Sequence, residues 1–487
     1  MSLASDLGDR FKAEFAGKLI AVVSAGLLTV ILARLLEPDQ YGLLFLAISV
    51  LGMIEMFSKL GIAKSAARYV AEYKETDPGQ LRGIFRFSLL LNVVTISVVC
   101  IAVLLGYEHI ARLVGEPEIG PLLVVGVCYI LFNTLDQFVR TLLQGFEAIK
   151  PASVLLSVSS SLRFVFAVSL VLVGYGVVGA LLGYIISYAI STVLGLGYLY
   201  VRLYKTSPSA EIETGLRRRI VEYTAPLTLT SAADVLDKKI DTILVGIFTG
   251  PVGVAYYTVG EQVIQFVETP MAALGFALSP TYEAQKAKGN TEIAAKIYEE
   301  ALTHGLLLYI PAAAGLMLVA EPLVLEAFGT EYQGAVIVLQ VMAIYAVLRA
   351  IMKITSNGLD FLGRARERAI IKGITAVLNV GLNILLIPLI GVVGAAISTV
   401  ITFSLFTVAN LYIMHLELGF RVRYLIRHTG SALLVTAVMS VVVYLLIGMV
   451  SGIVTLVSVV FVGVLVWALL AVGSGLIDIR YILSVVF

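Results

Sequence analysis

The stretch GVVGA at residues 176–180 recurs letter for letter at residues 391–395, which is 215 residues further along the chain. RTLLQGFE (140–147) and KITSNGLD (353–360) match in character at five positions and lie 213 residues apart. A weaker match joins ILARLLEPDQYG from Ile31 to ILVGIFTGPVG from Ile243, with a separation of 212 residues. Three matches at nearly one separation predict an internal repeat, and hence two homologous halves.

Long apolar runs surround each of these stretches. The chain has 487 residues, of which 59% are hydrophobic and only 14% charged, and its mean hydropathy is +0.98. Such a composition is typical of an integral membrane protein, and runs of about 20 apolar residues cross a bilayer as α-helices. The sequence therefore predicts an all-α membrane protein with about 14 transmembrane helices. The predicted spans are 15–36, 41–60, 84–106, 119–139, 151–173, 177–200, 221–248, 252–277, 299–320, 333–355, 367–389, 393–416, 429–449 and 452–473.

Basic residues concentrate in every second connection between these spans. One set of connections carries runs such as Arg217 to Arg219, whereas Arg112 is the main basic residue of the other set. The positive-inside rule then places both termini in the cytoplasm and predicts a multi-pass protein of the cell (plasma) membrane. Because six helices is an even number, the two copies of the repeat enter the membrane in the same orientation. We expect an N-terminal lobe (1–208), a C-terminal lobe (209–420) and an additional helix pair (421–487).

Charged residues occur inside several predicted spans. SAADVLDKKIDTILVG (231–246) contains five charges, and Asp234, Lys238 and Asp241 fall within about 60° of one another on a helix, with Asp237 beside them. A charge facing lipid costs roughly 2.5–3.5 kcal/mol near a helix centre, so most of this stripe must face protein or water. Lys239 lies off the stripe and is interpreted as snorkelling toward the outer surface.

These charges have two interpretations. In the first interpretation, the charges form buried ion pairs that only join helices. The other is a hydrated cavity for a polar substrate, which the spread of charges over both lobes favours. Arginine and lysine are suited to phosphate, and carboxylates are suited to sugar hydroxyls or a coupling cation. The first lobe also contributes Glu55, Asn133 and Asp136. The predicted substrate-binding residues of the cavity are Arg34, Arg163, Asp234, Asp237, Lys238, Asp241, Glu261, Glu268 and Arg349.

Other function classes find little support in the sequence. Four scattered histidines and two cysteines within apolar runs provide no metal-ligand spacing, so we predict no metal site and no cofactor. The net charge of +1 gives no nucleic-acid footprint. No GxxxxGK[ST] motif is present, so transport energy must come from another source than a nucleotide site of this chain. The candidate energy sources are a cation or proton gradient, the membrane potential and mass action.

The order of several short motifs resembles one family. RLLEPDQYG (34–42), LGIAKSAARYVAEY (60–73), Gln144-Gly145, the segment from Asp237 to Gly246, and FGTEY (328–332) are similar to polysaccharide-biosynthesis proteins, the Wzx-like lipid-linked oligosaccharide flippases of the multidrug/oligosaccharidyl-lipid/polysaccharide exporter superfamily. The resemblance covers essentially the whole chain. It implies fourteen helices in two lobes, and movement of an isoprenoid-phosphate-linked oligosaccharide from the cytoplasmic to the outer leaflet by alternating access. It also implies a groove for the lipid tail at the last two helices.

The partners expected from this resemblance are the lipid-linked glycan, a coupling cation or proton, and the glycosyltransferases of the same pathway, with the protein itself a monomer. One alternative is a multidrug cation exporter of the same superfamily. The additional helix pair and the mixture of positive and negative charges in the predicted cavity count against it. A membrane glycosyltransferase or polymerase is the other alternative. The longest predicted outer loop, about residues 107–118, is too short for a catalytic domain, so we predict a transporter with no enzymatic activity and no catalytic residues.

Overall fold

The computed structural model describes residues 3–205, 208 and 210–476, and within them every regular element is helical. There are fourteen α-helices in the described residues, as well as short 3-10 and π turns. Their bounds are α1 Leu3–Leu35, α2 Pro38–Lys59, α3 Ile62–Thr76, α4 Leu81–Val114, α5 Ile119–Gly145, α6 Ile149–Leu170, α7 Gly176–Tyr198, α8 Leu216–Ala287, α9 Thr291–Leu323, α10 Ala335–Phe361, α11 Ala365–Ile390, α12 Val392–Leu418, α13 Val422–Ile447 and α14 Ile453–Gly473.

The predicted membrane crossings are confirmed, although glycine turns join some of them into longer helical stretches. Twelve stretches of the described chain are long and apolar enough to cross a membrane. One of them, Ile149–Arg202, contains Gly174 at φ 100°, where the chain turns between α6 and α7. In α8, Gly250 has φ 72° and ψ −173° and divides the helix into 216–249 and 251–287. Only glycine adopts these angles without strain. Both turns lie between spans that the sequence predicted as separate, namely 151–173 and 177–200 for the first turn and 221–248 and 252–277 for the second.

Helix α3 is not among the stretches that are long and apolar enough to cross a membrane, and hydropathy did not predict it. Its buried residues, Ile62, Ser65, Ala66, Tyr69, Val70 and Tyr73, recur at helical spacing and form one face. The Ser65 hydroxyl donates to the backbone oxygen of Ile220 (2.9 Å), and the Thr228 hydroxyl donates to that of Leu60 (2.6 Å). The buried face of α3 thus packs against the beginning of α8.

The chain divides into two compact units, Met1–Ala255 and Tyr256–Phe487. The first unit includes the 216–249 part of α8, which lies along α2 and α3. Its core includes Ile62, Val70, Phe138, Leu142 and Ile220. The six-helix lobe boundary at 208/209 stays a prediction about the repeat, because a compact unit and a repeat need not end at the same residue.

In the second unit, α13 and α14 are fixed to α9. The backbone N–H and the guanidinium of Arg421 donate to the buried carboxylate of Glu299, at 2.6 Å from Oε1 and 2.7 Å from Oε2 respectively. Trp467 Nε1 of α14 donates to the backbone oxygen of Leu307 (3.1 Å). Apolar contacts among Val319, Met439 and Leu456 complete this attachment. The additional helix pair is therefore an integral part of the second unit.

Candidate functional site

The predicted cavity residues occupy both units. In the first unit Arg34 and Lys238 are exposed, Arg163 is half-buried and Asp241 is buried. In the second unit Glu261 and Arg349 are half-buried, and the Arg349 guanidinium lies 5.3 Å from the centre of the Tyr345 ring. The side chains of Asp234, Asp237 and Glu268 lie outside the described part of the structure. Their roles, like those of the other cavity residues, stay predictions.

A first polar cluster joins α2 to α5 inside the first unit. The Glu55 carboxylate, only 2% exposed, accepts hydrogen bonds from Asn133 Nδ2 and Thr134 Oγ1, both at 3.1 Å. Lys59 lies one turn further along α2, with its ammonium 3.1 Å from Glu55 Oε1. The charge of Glu55 is thus balanced within its own helix, and both of its oxygens accept hydrogen bonds from α5.

A second polar cluster joins α5 to α7 by the same arrangement. Asp136 is fully buried, and Arg140, four residues later, donates to its Oδ2 from Nε at 2.9 Å. Ser191 of α7 donates to Asp136 Oδ1 at 2.5 Å. Asp136 and Glu55 therefore act as helix-to-helix connectors, which supports the structural interpretation for these two acids. The sequence offered a signal for this role, because each acid has a base at position i+4.

Arg163 of α6 has different surroundings. One guanidinium nitrogen donates to the hydroxyl of Tyr188 on α7 at 2.9 Å. The guanidinium carbon lies 5.2 Å from the centre of the Tyr184 ring and 5.9 Å from that of Tyr188. Tyr129 of α5 packs edge-on against Tyr188, with 5.8 Å between ring centroids. We call Arg163 with Tyr129, Tyr184 and Tyr188 the tyrosine box.

Arg163 forms no direct ion pair with a carboxylate of the described residues, although the buried Asp136 lies near enough to interact with its charge electrostatically. Its Nε is buried and has no hydrogen-bond acceptor. Aromatic ring faces attract a cation but do not neutralise it. The tyrosine box therefore restricts the orientation of the Arg163 guanidinium, and the Nε–H of that guanidinium donates no hydrogen bond.

Lys239 of α8 lies against α2. Its Cε is 3.5 Å from the position that a Cβ would take on Gly52, and the side chain is half-buried. A glycine at position 52 makes room for the lysine stem. The stem of Lys239 thus packs against a neighbouring helix, and the snorkelling of its ammonium group stays a prediction.

An apolar groove of about 680 Å³ runs over α9, α10, α12 and α13 in the second unit. Its lining includes Leu306, Ile351, Ile426, Gly430 and Leu433. Ile426 and Leu433 are 66% and 54% exposed, so the groove opens onto the surface that the spans present to lipid. The groove has the size and chemistry of a site for a hydrocarbon chain.

The described residues contain no group of three or more histidine, cysteine or acidic side chains placed to hold a metal ion. Cys100 and Cys128 are both free thiols.

A bundle of membrane-spanning helices with buried polar clusters defines a multi-pass membrane protein with charged residues in its interior. Comparison with solved structures identifies its fold. The structure superposes on the lipid II flippase MurJ in an inward closed conformation with a TM-score of 0.76 and 16% identity, covering 95% of this chain and 97% of that one. A multidrug resistance MATE family transporter of the MOP superfamily, in its inward-facing conformation, gives a TM-score of 0.71 and 19% identity over 82% of this chain and 94% of that one. The fold is thus the one shared by these two kinds of transporter.

The chain belongs to the polysaccharide biosynthesis protein family, whose profile matches residues 15–283. The MatE profile matches residues 226–385. A relative described as the probable low-salt glycan biosynthesis flippase Agl15 of Haloferax volcanii is 22% identical over 80% of each chain. The lipopolysaccharide biosynthesis protein WzxC of Escherichia coli is 24% identical over 80% of this chain and 76% of its own. The resemblance noted in the sequence is thereby confirmed.

Proposed function

We propose that the protein is a flippase that moves an isoprenoid-phosphate-linked oligosaccharide from the cytoplasmic to the outer leaflet by alternating access. The observation that carries this proposal is the combination of a charged membrane interior in the first unit with an apolar, lipid-facing groove in the second. A lipid-linked glycan needs both environments, because its headgroup cannot cross hydrocarbon unaided while its tail is stable there.

The headgroup path is assigned to the predicted cavity residues. Arg34, Arg163, Lys238 and Arg349 would bind phosphate or sugar hydroxyls. The carboxylates would bind sugar hydroxyls or a coupling cation, and they are Asp234, Asp237, Asp241, Glu261 and Glu268. The half-buried position of Arg163 beside three tyrosines supports this assignment, since aromatic rings and an arginine together suit a sugar phosphate.

The groove over α9, α10, α12 and α13 is assigned to the isoprenoid chain. Its lining is almost entirely hydrocarbon, and Glu299 and Arg421 hold α13 in place beside α9. Each buried methylene of a lipid chain contributes about 0.8 kcal/mol, but that chain is equally stable in the bilayer. The groove therefore orients the tail during transport and adds little net affinity.

The distribution of basic residues supports a plasma-membrane protein with both termini in the cytoplasm. The substrate would reach it from the glycosyltransferases of the same pathway. A monomer suffices for this scheme, since the headgroup path and the groove belong to one chain, and no bond of the substrate is broken.

A multidrug cation exporter is the second candidate, and the MatE profile and the MATE structure favour it. Two observations favour the flippase. The MurJ structure accounts for 95% of this chain and the MATE structure for 82%. The tyrosine box also carries the positive charge of Arg163, which repels a cationic drug.

Complementation distinguishes the two functions. The gene would be expressed in a strain that lacks its own glycan flippase and, separately, in a strain that lacks its drug exporters. We expect restored surface glycan in the first strain and no change in drug resistance in the second. Arg163→Gln, Asp237→Asn and Lys238→Gln should each abolish glycan transport at nearly normal protein abundance. Resistance without surface glycan would overturn the proposal in favour of the exporter.

A further inference from the structure

We infer that the place where α4 meets the end of α7 binds the headgroup of an anionic glycerophospholipid. The residues concerned are Arg82 and Arg86 near the beginning of α4, and Tyr200, Tyr204 and Lys205 in the turn that follows α7. We call these five residues the basic junction. The proposed function enters only through the side of the membrane, since the proposed orientation puts the basic junction in the cytoplasmic leaflet.

Arg82 joins the two helices at the basic junction. Its Nε donates to the backbone oxygen of Tyr204 (2.8 Å), and its Nη2 donates to that of Lys205 (2.9 Å). The Tyr204 ring lies 5.3 Å from the Arg82 guanidinium carbon and stacks on Tyr200, with 5.6 Å between ring centroids. The Lys205 ammonium lies 5.3 Å from the centre of the Tyr200 ring. These contacts fix the end of α7 beside α4 and hold Lys205 there.

Arg86 and Lys205 stay available to a ligand. Both side chains are exposed, and neither forms an ion pair or donates a hydrogen bond to another described residue. Arg82 donates only to backbone oxygens. In the connection that follows, Glu213 forms an ion pair with the beginning of α8, and Glu211 is exposed. Within the described chain, the basic junction therefore carries three positive charges, none of which is paired with a carboxylate.

The basic junction lies at the level of lipid headgroups. Residues 87–107 of α4 contain no charged side chain and span roughly 30 Å as a helix, which equals the thickness of the hydrocarbon core. Arg86 thus stands at one bilayer surface and Glu108 at the other. The membrane-crossing stretch that includes α7 ends at Arg202, so Lys205 lies just outside the hydrocarbon. Tyrosines beside these bases are typical of the membrane interface.

On the membrane side of the basic junction, both helices present apolar side chains to lipid. Leu90 and Val94 of α4 are exposed, and so are Val193 and Leu194 of α7. At about 100° per residue, the exposed pair on α7 lies on the opposite face from the tyrosines of the tyrosine box. A lipid whose phosphate contacts the basic junction would therefore place its acyl chains on this outer surface, away from the predicted headgroup path.

The charge of the basic junction selects among lipids. A phosphate accepts strong hydrogen bonds from a guanidinium or an ammonium group, and clustered bases at a membrane surface attract anionic lipids. Phosphatidylglycerol carries a single negative charge. Phosphatidylcholine has an ammonium next to its phosphate, and the same bases repel that ammonium. The carrier phosphate has similar chemistry, but its isoprenoid chain is assigned to the groove of the second unit, so we assign the basic junction to a glycerophospholipid.

Competition between lipids at a single tryptophan tests the inference. Trp467 is the only tryptophan of the chain, so Leu194→Trp in a Trp467→Phe protein places a reporter on the exposed surface of α7. The reporter lies roughly 9 Å along the helix from Tyr200, at the depth of acyl chains. The full-length protein would be reconstituted in mixtures of phosphatidylcholine and phosphatidylglycerol, with bromine on the acyl chains of one lipid. Quenching then gives the relative binding constant of the two lipids at the reporter.

The variants, all in the reporter protein, are Arg86→Gln, Lys205→Gln, the double variant and Arg86→Lys. Arg423→Gln is the matched control, because it removes the same charge from an exposed position on α13. We expect phosphatidylglycerol to bind about threefold or more tightly than phosphatidylcholine. The double variant should bring this ratio close to one, and each glutamine variant should give an intermediate value. Arg86→Lys and Arg423→Gln should keep most of the preference, and added salt should weaken it.

Two results overturn the inference on charge. A ratio near one in the unsubstituted reporter protein would mean that these bases only set the orientation of the chain in the membrane. A double variant that keeps the full preference would mean that the lipid is selected elsewhere. Undecaprenyl phosphate tests the assignment to a glycerophospholipid. If it displaces brominated phosphatidylglycerol about threefold more effectively than unlabelled phosphatidylglycerol does, the site belongs to the carrier lipid and the assignment is overturned.

Circular dichroism establishes that each variant is folded. If the double variant does not fold, the two glutamine variants and the salt dependence decide by the same criterion. The assay measures lipid binding and not transport, so its outcome is separate from that of the proposed function. A protein that restores no surface glycan but keeps the Arg86-dependent lipid preference refutes only the flippase. Restored surface glycan without any lipid preference refutes only the site at the basic junction.

Discussion

Gly42 lies directly against the backbone of Pro251, so closely that a Cβ on Gly42 would be 1.7 Å from the Pro251 carbonyl oxygen. Gly42 is in the first turns of α2, and Pro251 follows the turn at Gly250 in α8. Further along the same two helices, a Cβ on Gly246 would be 2.5 Å from a methyl group of Leu46. The segments of α8 on both sides of the turn at Gly250 thus depend on glycines for their close packing against α2.

Gly42→Ala should therefore force α2 and the α8 turn apart, because neither backbone can move aside locally. We expect a clear loss of thermal stability, of the size seen for overpacked cores, about 1–3 kcal/mol or more. The measurement is thermal unfolding of the purified protein followed by the loss of its helical circular dichroism signal. Gly106→Ala is the control, since a Cβ on Gly106 meets nothing within 4 Å, and it should leave the melting temperature nearly unchanged. Equal melting temperatures for the two variants would show that the close contact is dispensable.

The buried pair of Asp136 and Arg140 gives a second prediction. Arg140→Gln leaves a fully buried carboxylate with Ser191 as its remaining partner, and breaking such a pair costs about 3–5 kcal/mol. The double variant Asp136→Asn with Arg140→Gln should recover much of that loss, since no unbalanced charge stays behind. The unfolding free energies of the wild type, Asp136→Asn, Arg140→Gln and the double variant form a double-mutant cycle. The cycle measures the coupling free energy between the two side chains. Arg218→Gln, which removes an exposed pair with Glu222, should have no measurable effect. A double variant as unstable as Arg140→Gln would contradict this explanation.

The connection between α4 and α5 should make stability depend on pH. Burial, together with the nearby Glu118 and Asp39, raises the pKa of the Glu116 carboxyl above its ordinary value. Because the folded pKa is higher than the unfolded one, the folded protein binds this proton more tightly. The associated stability is fully present below the unfolded pKa of about 4.3 and is lost as the pH rises through the raised folded value.

Glu116→Gln should consequently raise the melting temperature at pH 7 and flatten its dependence on pH in the acidic range. Glu72→Gln, at an exposed position on α3, is the control and should do neither. Melting curves between about pH 4 and pH 7 cover the window that this pKa shift defines. A Glu116→Gln protein that keeps the wild-type pH profile would rule out Glu116 as the source.

The apolar groove yields a prediction about transport rather than stability. Gly430 lines the groove, and a side chain added there meets no atom within 4 Å of its Cβ. Gly430→Phe should fill the space assigned to the isoprenoid chain and strongly reduce glycan transport in the complementation assay, with protein abundance maintained. Gly381→Phe on α11 makes the same change at another open helical position and should transport normally. Normal transport by Gly430→Phe would show that the tail does not occupy this groove.

The sequence predicted the membrane crossings well, because hydropathy and glycine turns act locally. Gly174 and Gly250 were located correctly for that reason. Helix α3 was missed, since a short amphipathic helix with a polar outer face has no apolar run. Its Tyr73 donates to Glu213 and accepts from Arg219 at 2.7 Å, a contact across more than a hundred residues that no local pattern indicates.

The charged residues also have features that the sequence shows and features that only the folded structure shows. The i+4 spacing of Glu55 with Lys59 and of Asp136 with Arg140 is visible in the sequence, but spacing alone does not tell a balanced pair from a ligand site. Arg163 was predicted as a substrate contact from its residue type. Its three tyrosines come from α5 and α7, so only the folded arrangement shows that aromatic rings surround it.

Reconstitution of the purified protein into liposomes measures the movement of a lipid-linked glycan between leaflets itself. A fluorescent disaccharide linked through diphosphate to a short isoprenoid would be placed in both leaflets, and a membrane-impermeant quencher would then report the fraction accessible from outside. We expect wild-type protein to make nearly all of the probe accessible within minutes, whereas protein-free liposomes and the Arg163→Gln variant should leave about half protected. If about half stays protected with folded wild-type protein, under an imposed ion gradient and without one, the protein is not a flippase for such a substrate.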